Sequence, residues 1–409
     1  MMFMMMAIML AACSEDEEET SREKSEVKDD LTGWVQPYTG DADAEKEMRK
    51  KITDSYTKKF PDVKVNIETI PWANRDQKIL TALAANNGPD VFYAIPDQMP
   101  QYADAGMLLE LDPYLKGYDM EDFVDTALES TQWKDKTYGL PILQEANTHF
   151  YNVDIIKAIG EDPNNLPETW EEYEAWAEKA KKAGFYAMSY LGGGSQNSML
   201  YPFVWQAGGE IIDENDKIMI NEDAGVKAFE LINNFYQKGY FPKDSITAIE
   251  QDAVWESGKV MSVIGSGFTV TQLKANAPFE YVIAPPLKDK EQVTYGTTGM
   301  FVVPSNSDNK SAAAEFVKVI TETENQRTFN TVTQYIPTRE AAKDIFEGED
   351  SLAQLATYTE FARPGVIHPV ARNIMPGIQA QIQSMLSGEI TPQEAADNSA
   401  ASIEAELKK

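Results

Sequence analysis

At 409 residues the chain is too long for one ordinary hydrophobic core and long enough for two lobes. Its 43% hydrophobic and 25% charged residues are those of a globular protein, and past the N-terminus no run of about twenty apolar residues could cross a membrane. Lys plus Arg number 36 against 66 Asp plus Glu, and the formal charge of -30 repels phosphate backbones, so nucleic acid is not an expected partner.

One cysteine rules out internal disulfides, and with two histidines neither a metal site nor another cofactor is expected. HExxH, Walker A and G-x-S-x-G patterns are all absent. Phe3 to Leu10 is apolar but far shorter than a membrane span, which suits a signal-peptide core. Leu10-Ala11-Ala12-Cys13 then resembles the lipobox of bacterial lipoproteins, whose cysteine is diacylated and becomes the first residue of the mature chain. Residues 1–13 are therefore expected to be a lipoprotein signal peptide, with Cys13 the lipidation site on the outer face of the cytoplasmic membrane. The other reading of Cys13 is a buried thiol. No Lys or Arg precedes it, so a start upstream of Met1 is expected. Residues 14–30, SEDEEETSREKSEVKDD, hold no aromatic and one aliphatic residue, which predicts a disordered acidic tether.

From Leu31 the pattern becomes that of alternating strands and helices. LTGWVQPYTG reads as a strand feeding a Tyr38-Thr39-Gly40 loop, followed by a helix from Asp43 to Lys59 with Met48, Ile52 and Tyr56 on one face. Val63, Val65, Ile67 and Thr69 alternate as in a strand; NRDQKILTALAANNG is helical; DVFYAI is a short strand broken by Pro96-Asp97. Strand-helix repetition predicts mainly parallel sheets flanked by helices, with ligand at the carboxyl ends of the strands. Tyr38, Thr39 and Asp97 then share one rim. Further on, Thr169 and Thr391 open capping boxes, AGVKAFELINNFYQKG and KSAAAEFVKVITE are amphipathic helices, and KVMSVIGSGF and GMFVVPSNS are strands.

Six ordered stretches resemble the family 1 bacterial extracellular solute-binding proteins, the group containing maltose-binding protein. They are residues 77–112, YGLPILQEANTHFYNVDII at 138–156, PFVWQAGGEIID at 202–213, SGKVMSVIGSGF at 257–268, YGTTGMFVVPSNS and YIPTREAA. The resemblance implies an α/β fold of two periplasmic-binding-protein lobes, each a mainly parallel sheet flanked by helices, joined by a multi-strand hinge. It places 31–143 plus 286–340 in the N-terminal lobe and 144–285 plus 341–409 in the C-terminal lobe. It also implies a non-enzymatic, monomeric carrier that captures a sugar by hinge closure and delivers it to ABC transporter permease subunits.

By position, Asp97 and Glu145 match sugar-binding carboxylates of the family. Planar carboxylates suit paired hydroxyls, as aromatic rings suit the apolar faces of sugars. Tyr38 and Thr39 stand where the family carries charge, and Phe268 where it carries a stacking tryptophan. Gln196, Asn197, Thr297, Thr298 and Arg372 fall in loops that contribute further contacts. Each has a plainer reading: Asp97 as a turn cap, Phe268 and Trp205 as core, Glu145 as a structural acid in an apolar segment. The rival functions are a lipid-anchored glycoside hydrolase using Asp97 and Glu145, and a carrier of a non-sugar cargo such as polyamine.

Overall fold

The computed structural model describes residues 30–72, 75–270 and 278–409. The lipobox, Cys13 included, and the acidic stretch as far as residue 29 lie outside the described residues.

Among the described residues, nine strands form the two main sheets. In chain order they are β1 (Leu31–Val35), β2 (Val65–Thr69), β3 (Val91–Ala94), β4 (Gly139–Gln144), β5 (Thr148–Asn152), β6 (Tyr186–Met188), β7 (Val260–Gly265), β8 (Tyr281–Ile283) and β9 (Thr298–Val302). The first sheet has the order β2-β1-β3-β9-β4 and the second β8-β5-β7-β6. Mainly parallel sheets were expected, and one correction applies to both. β9 is antiparallel to β3 and β4, and β5 is antiparallel to β7 and β8, so a reversed strand lies inside each sheet. The reason is connectivity: β5 and β9 are the strands that enter a lobe from the other lobe. All other strands run toward the boundary between the lobes and deliver their carboxyl ends there.

Side chains on either face of a strand reach different cores, as a period of two requires. Val91 and Tyr93 join one apolar cluster with Met48, Ile52, Tyr56 and Phe316, while Phe92 and Ala94 join another with Ile79, Met99 and Tyr102. The Ala42–Lys59 helix presents Met48, Ile52 and Tyr56 inward as its spacing predicts, and the Tyr56 hydroxyl donates to Ala312 O at 3.0 Å. The second sheet is covered by the Trp170–Lys182, Asp223–Gln237, Ala371–Leu386 and Pro392–Leu407 helices, packed through Trp176, Phe229, Ile378 and Ile403. Both expected capping boxes are present, at Thr169 and Thr391. Leu287 and Val293 still pack with the second cluster, so the chain returns to the first sheet only after them. Among the described residues, three segments cross between the sheets: 145–147, 294–297, and the stretch from Ile336, which pairs with Gln144, to Arg363, which pairs with Tyr295.

Candidate functional site

Asp97 lies three residues beyond β3 and is 1% exposed. Its Oδ2 accepts hydrogen bonds from Asn197 Nδ2 at 3.0 Å and Arg372 Nη1 at 2.9 Å. Asp97 belongs to the lobe of the first sheet, and its two partners to the lobe of the second. Arg372 also donates from Nε and Nη2 to Asp76 Oδ2, at 3.0 and 2.7 Å. Asp76 occupies the first turn of the Arg75–Ala84 helix, so one guanidinium spans the cleft and grips two carboxylates of the facing lobe. Arg372 itself sits in the first turn of its helix, where the dipole disfavours a cation. The carboxylates hold it there. Burial works against its charged form, but Asp97 and Asp76 outweigh that and push the guanidinium pKa up. Burial likewise raises Asp76, and Arg372 with Arg75 outweighs it, leaving that carboxyl below its ordinary value.

A second layer steadies this pair. Arg75 Nε donates to Asp76 Oδ1 at 3.1 Å, and its Nη2 donates to Gln98 Oε1 at 2.7 Å. The Arg75 guanidinium also lies 5.0 Å from the centre of the Trp72 ring, a cation–π arrangement.

Several buried polar atoms around this grip have no protein partner among the described residues: Asp97 Oδ1, Asn197 Oδ1, Gln196 Oε1, Arg75 Nη1 and the hydroxyls of Tyr38 and Tyr201. Tyr201 lies within reach of the charges of Asp97 and Arg372. Gly365, at φ +97°, packs against Asn197; a Cβ there would come within 3.1 Å of Asn197 Oδ1. Such atoms are costly in an apolar interior and useful in a site that receives hydroxyls.

Glu145 lies in the first crossing segment. Burial pushes its carboxyl up to about 7, with hydrogen bonds from Ser266 and Asn147 working the other way. Its charge is felt by the phenols of Tyr93, Tyr295 and Tyr335, so it sits in an aromatic setting at the hinge end of the cleft. Tyr38 joins the same wall, its ring edge-on to Tyr93 at 5.3 Å and to Trp72 at 6.4 Å.

The structure thus gathers Asp97, Asn197 and Arg372 by direct bonds, with Gln196 next to Asn197, and sets Tyr38, Glu145 and Thr297 along the same cleft. Glu145 N donates to Thr297 O at 3.0 Å, and Thr297 Oγ1 is buried without a partner among the described residues. Two expected residues are engaged elsewhere. Thr39 is spent locally: its amide donates to Glu45 Oε1 at 2.5 Å and its hydroxyl accepts from Asp41 N at 3.0 Å, fastening the start of the first helix. Thr298 is taken up by the β9–β4 ladder opposite Gln144. Phe268 is 39% exposed, in contrast to the buried residues of the grip. Trp205, read above as core, is buried in the second cluster, yet its Nε1 has no partner among the described residues and the Arg363 guanidinium lies 4.6 Å from its ring. Trp170 and Trp176 are packing residues. Asp76, Arg75 and Gln98 went unrecognised in the sequence: an acid in a first helical turn reads as a dipole complement, and nothing local marks a partner 296 residues away.

Comparison with known proteins supplies the family. The chain is 25% identical over 430 residues to the galactooligosaccharide-binding protein of Bacillus subtilis, covering 98% of this chain and 95% of the relative. It is 26% identical over 361 residues to the diacetylchitobiose binding protein of Streptomyces coelicolor, covering 84% and 82%. Among solved structures, an ABC substrate-binding protein from Listeria monocytogenes in complex with cycloalternan superposes with a TM-score of 0.82 at 20% identity, over 93% of this chain and 99% of that one. Residues 51–360, well over half of the chain, match the family model described as bacterial extracellular solute-binding protein. With that match laid over two lobes that grip each other through Asp97 and Arg372, the chain belongs to the bacterial extracellular solute-binding proteins.

Proposed function

We propose that the protein is the extracytoplasmic binding component of an ABC transporter, taking an oligosaccharide between its lobes and presenting it to the permease. The observation that carries this reading is the pair of orphaned acceptors on bonded side chains from opposite lobes, Asp97 Oδ1 and Asn197 Oδ1. Asn197 donates through its amide nitrogen, which fixes its oxygen as an acceptor. Two such oxygens side by side suit neighbouring sugar hydroxyls, each donating one O–H. The phenols and indoles along the cleft supply faces for the C–H surfaces of the rings. Relatives that bind galactooligosaccharide and diacetylchitobiose support the cargo class.

Closure is the mechanism. Contacts from Asp97 on one lobe and Asn197 and Arg372 on the other form together only when the lobes meet, so cargo touching both shifts the population toward the closed form. Lobe boundaries near residues 143 and 340 and delivery as a monomer belong to the same reading. So does a lipid anchor at Cys13, tested by metabolic labelling with a fatty acid: label absent from a Cys13→Ala variant supports it, and label unchanged contradicts it. A thermal-shift panel of galactooligosaccharides, N-acetylchitooligosaccharides and polyamines tests the cargo, since a ligand of the native state raises the melting temperature. A shift with polyamine alone overturns the sugar reading. Recovery of the bound sugar uncleaved separates a carrier from the hydrolase alternative.

A further inference from the structure

The run GGGSQNS at 192–198 leads directly into Asn197, and its backbone is held from two sides. On one side it lies against residues 245–249: Gly192 N donates to Ser245 O at 2.8 Å, and Gly193 N donates to Ala248 O at 2.9 Å. The approach is too close for a side chain. A Cβ on Gly192 would stand 2.4 Å from Ile246 O, and one on Gly193 would stand 2.6 Å from Thr247 O.

On the other side lies the Ala371–Leu386 helix. Gln379 Nε2 donates to Gly194 O at 3.0 Å, and Gln383 Nε2 donates to Gly192 O at 3.2 Å. Gln196 Nε2 donates to the same Gly194 oxygen at 3.0 Å, and Ser195 Oγ lies 3.5 Å from Met375 Sδ. Arg372, Gln379 and Gln383 follow one another at seven and then four residues, which puts all three within about 20° of one helix face. Pro376 interrupts the backbone ladder between them without turning that face away, since bonds are made on both sides of it. One stripe of one helix thus carries Arg372 itself and the two amides that hold the turn before Asn197.

The clasp demands such an arrangement because it converges on a single atom. Arg372 Nη1 and Asn197 Nδ2 both donate to Asp97 Oδ2, at 2.9 and 3.0 Å. A shift of about 0.5 Å in either arm takes its bond to the edge of hydrogen-bonding distance. Arg372 is placed by the helix, but Asn197 sits just past a glycine turn, which has little stiffness of its own.

We propose that Gln379 and Gln383 are positioning residues for binding: they tie the Gly192–Gly194 turn to the helix that bears Arg372, so that Asn197 and Arg372 reach Asp97 as one unit. Its bearing on cargo rests on the oligosaccharide reading above. The test is a mutant cycle on the full chain, read by calorimetric titration with the galactooligosaccharide and N-acetylchitooligosaccharide panel and, without ligand, by small-angle scattering. Gln379→Leu combined with Gln383→Leu should weaken binding about tenfold and enlarge the radius of gyration. In an Asn197→Ala background the same pair should cost less than about twofold and add nothing to the radius, because the turn then has no arm to position. Gly193→Ala, which pushes the turn off Thr247 and leaves both glutamines in place, should reproduce both results. Equal losses with and without Asn197, or unchanged affinity and radius in these variants, overturn the positioning role and leave the sugar reading standing. If no sugar of the panel binds, the sugar reading falls and the radius decides alone: dependence on Asn197 supports the positioning role, and independence of it overturns it.

Discussion

Replacing Arg372 with alanine removes three hydrogen bonds across the cleft, and the two carboxylates they reach are unequal. Asp76 is 39% exposed at its side chain, so its share is screened and is worth about 1 kcal/mol or less. Asp97 is 1% exposed; a charge-assisted bond to it contributes about 1.5–3 kcal/mol, and its loss leaves Oδ2 with Asn197 alone. The sum is about 3 kcal/mol taken from the closed arrangement, or roughly a hundredfold in the ratio of closed to open molecules. Neither lobe's core loses anything, since the three bonds lie between the lobes. The cost should appear as opening. Small-angle scattering should show a larger radius of gyration in Arg372→Ala, and titration a half-saturation concentration raised by up to the same factor. Asp76→Asn should weaken binding about fivefold, and high salt should mimic it more closely than it mimics Arg372→Ala. An unchanged radius and affinity in Arg372→Ala, or a larger effect from Asp76→Asn, would refute the assignment of the clasp to Asp97.

Four other perturbations read different parts of the molecule. Glu145 has its carboxyl raised to about 7 by burial, so the folded state binds its proton more tightly than the unfolded chain does. The stability this group contributes is complete below about pH 4.5 and is lost as pH rises through about 7, up to about 3 kcal/mol. Glu145→Gln should therefore gain melting temperature relative to the parent at pH 8 and not at pH 4.5; a pH-independent difference contradicts that. His149 behaves oppositely: burial lowers it to about 4, so its contribution is lost as pH falls from about 6.5, and His149→Phe should be favoured, relative to the parent, at pH 4 over pH 7 in the same melts. At Gly296 a Cβ would stand 2.0 Å from the Glu145 carbonyl oxygen, so Gly296→Ala should displace that crossing segment and lower sugar affinity about tenfold or more while each lobe still folds, as near-ultraviolet dichroism would report. An unaffected affinity would mean that the segment does not position the site. Thr391 caps the Pro392–Leu407 helix and accepts from Glu394 N at 3.2 Å; Thr391→Ala should cost about 1 kcal/mol in melting experiments and leave affinity unchanged.

Much of this architecture is written in short-range patterns. The short apolar run DVFYAI, the four-residue spacing of Met48, Ile52 and Tyr56, and both threonine capping boxes act within a turn or two of chain, and all reappear in the fold. Asp97 was legible because a carboxylate directly after a fully buried strand has little structural reason to be there. Glu145 was legible for the same reason in an apolar segment. What lay beyond local pattern was pairing. Glu45 reads as one more acid on an exposed helix face, yet it is buried and accepts the Tyr38 and Thr39 amides, which withdraws Thr39 from the site. The reversed strands β5 and β9 likewise follow from the path between lobes, and no propensity of their own residues distinguishes them.

The most direct measurement is calorimetric titration of the parent and of Asp97→Asn with the galactooligosaccharide and N-acetylchitooligosaccharide panels, followed by analysis of the recovered sugar. Asparagine keeps the shape of Asp97 but removes the charge that Arg372 grips and turns one acceptor into a donor. The account predicts saturable binding of an uncleaved oligosaccharide by the parent and a loss of about a hundredfold or more in the variant. Equal affinity in the two proteins, or cleaved sugar in the parent's recovered fraction, would contradict it.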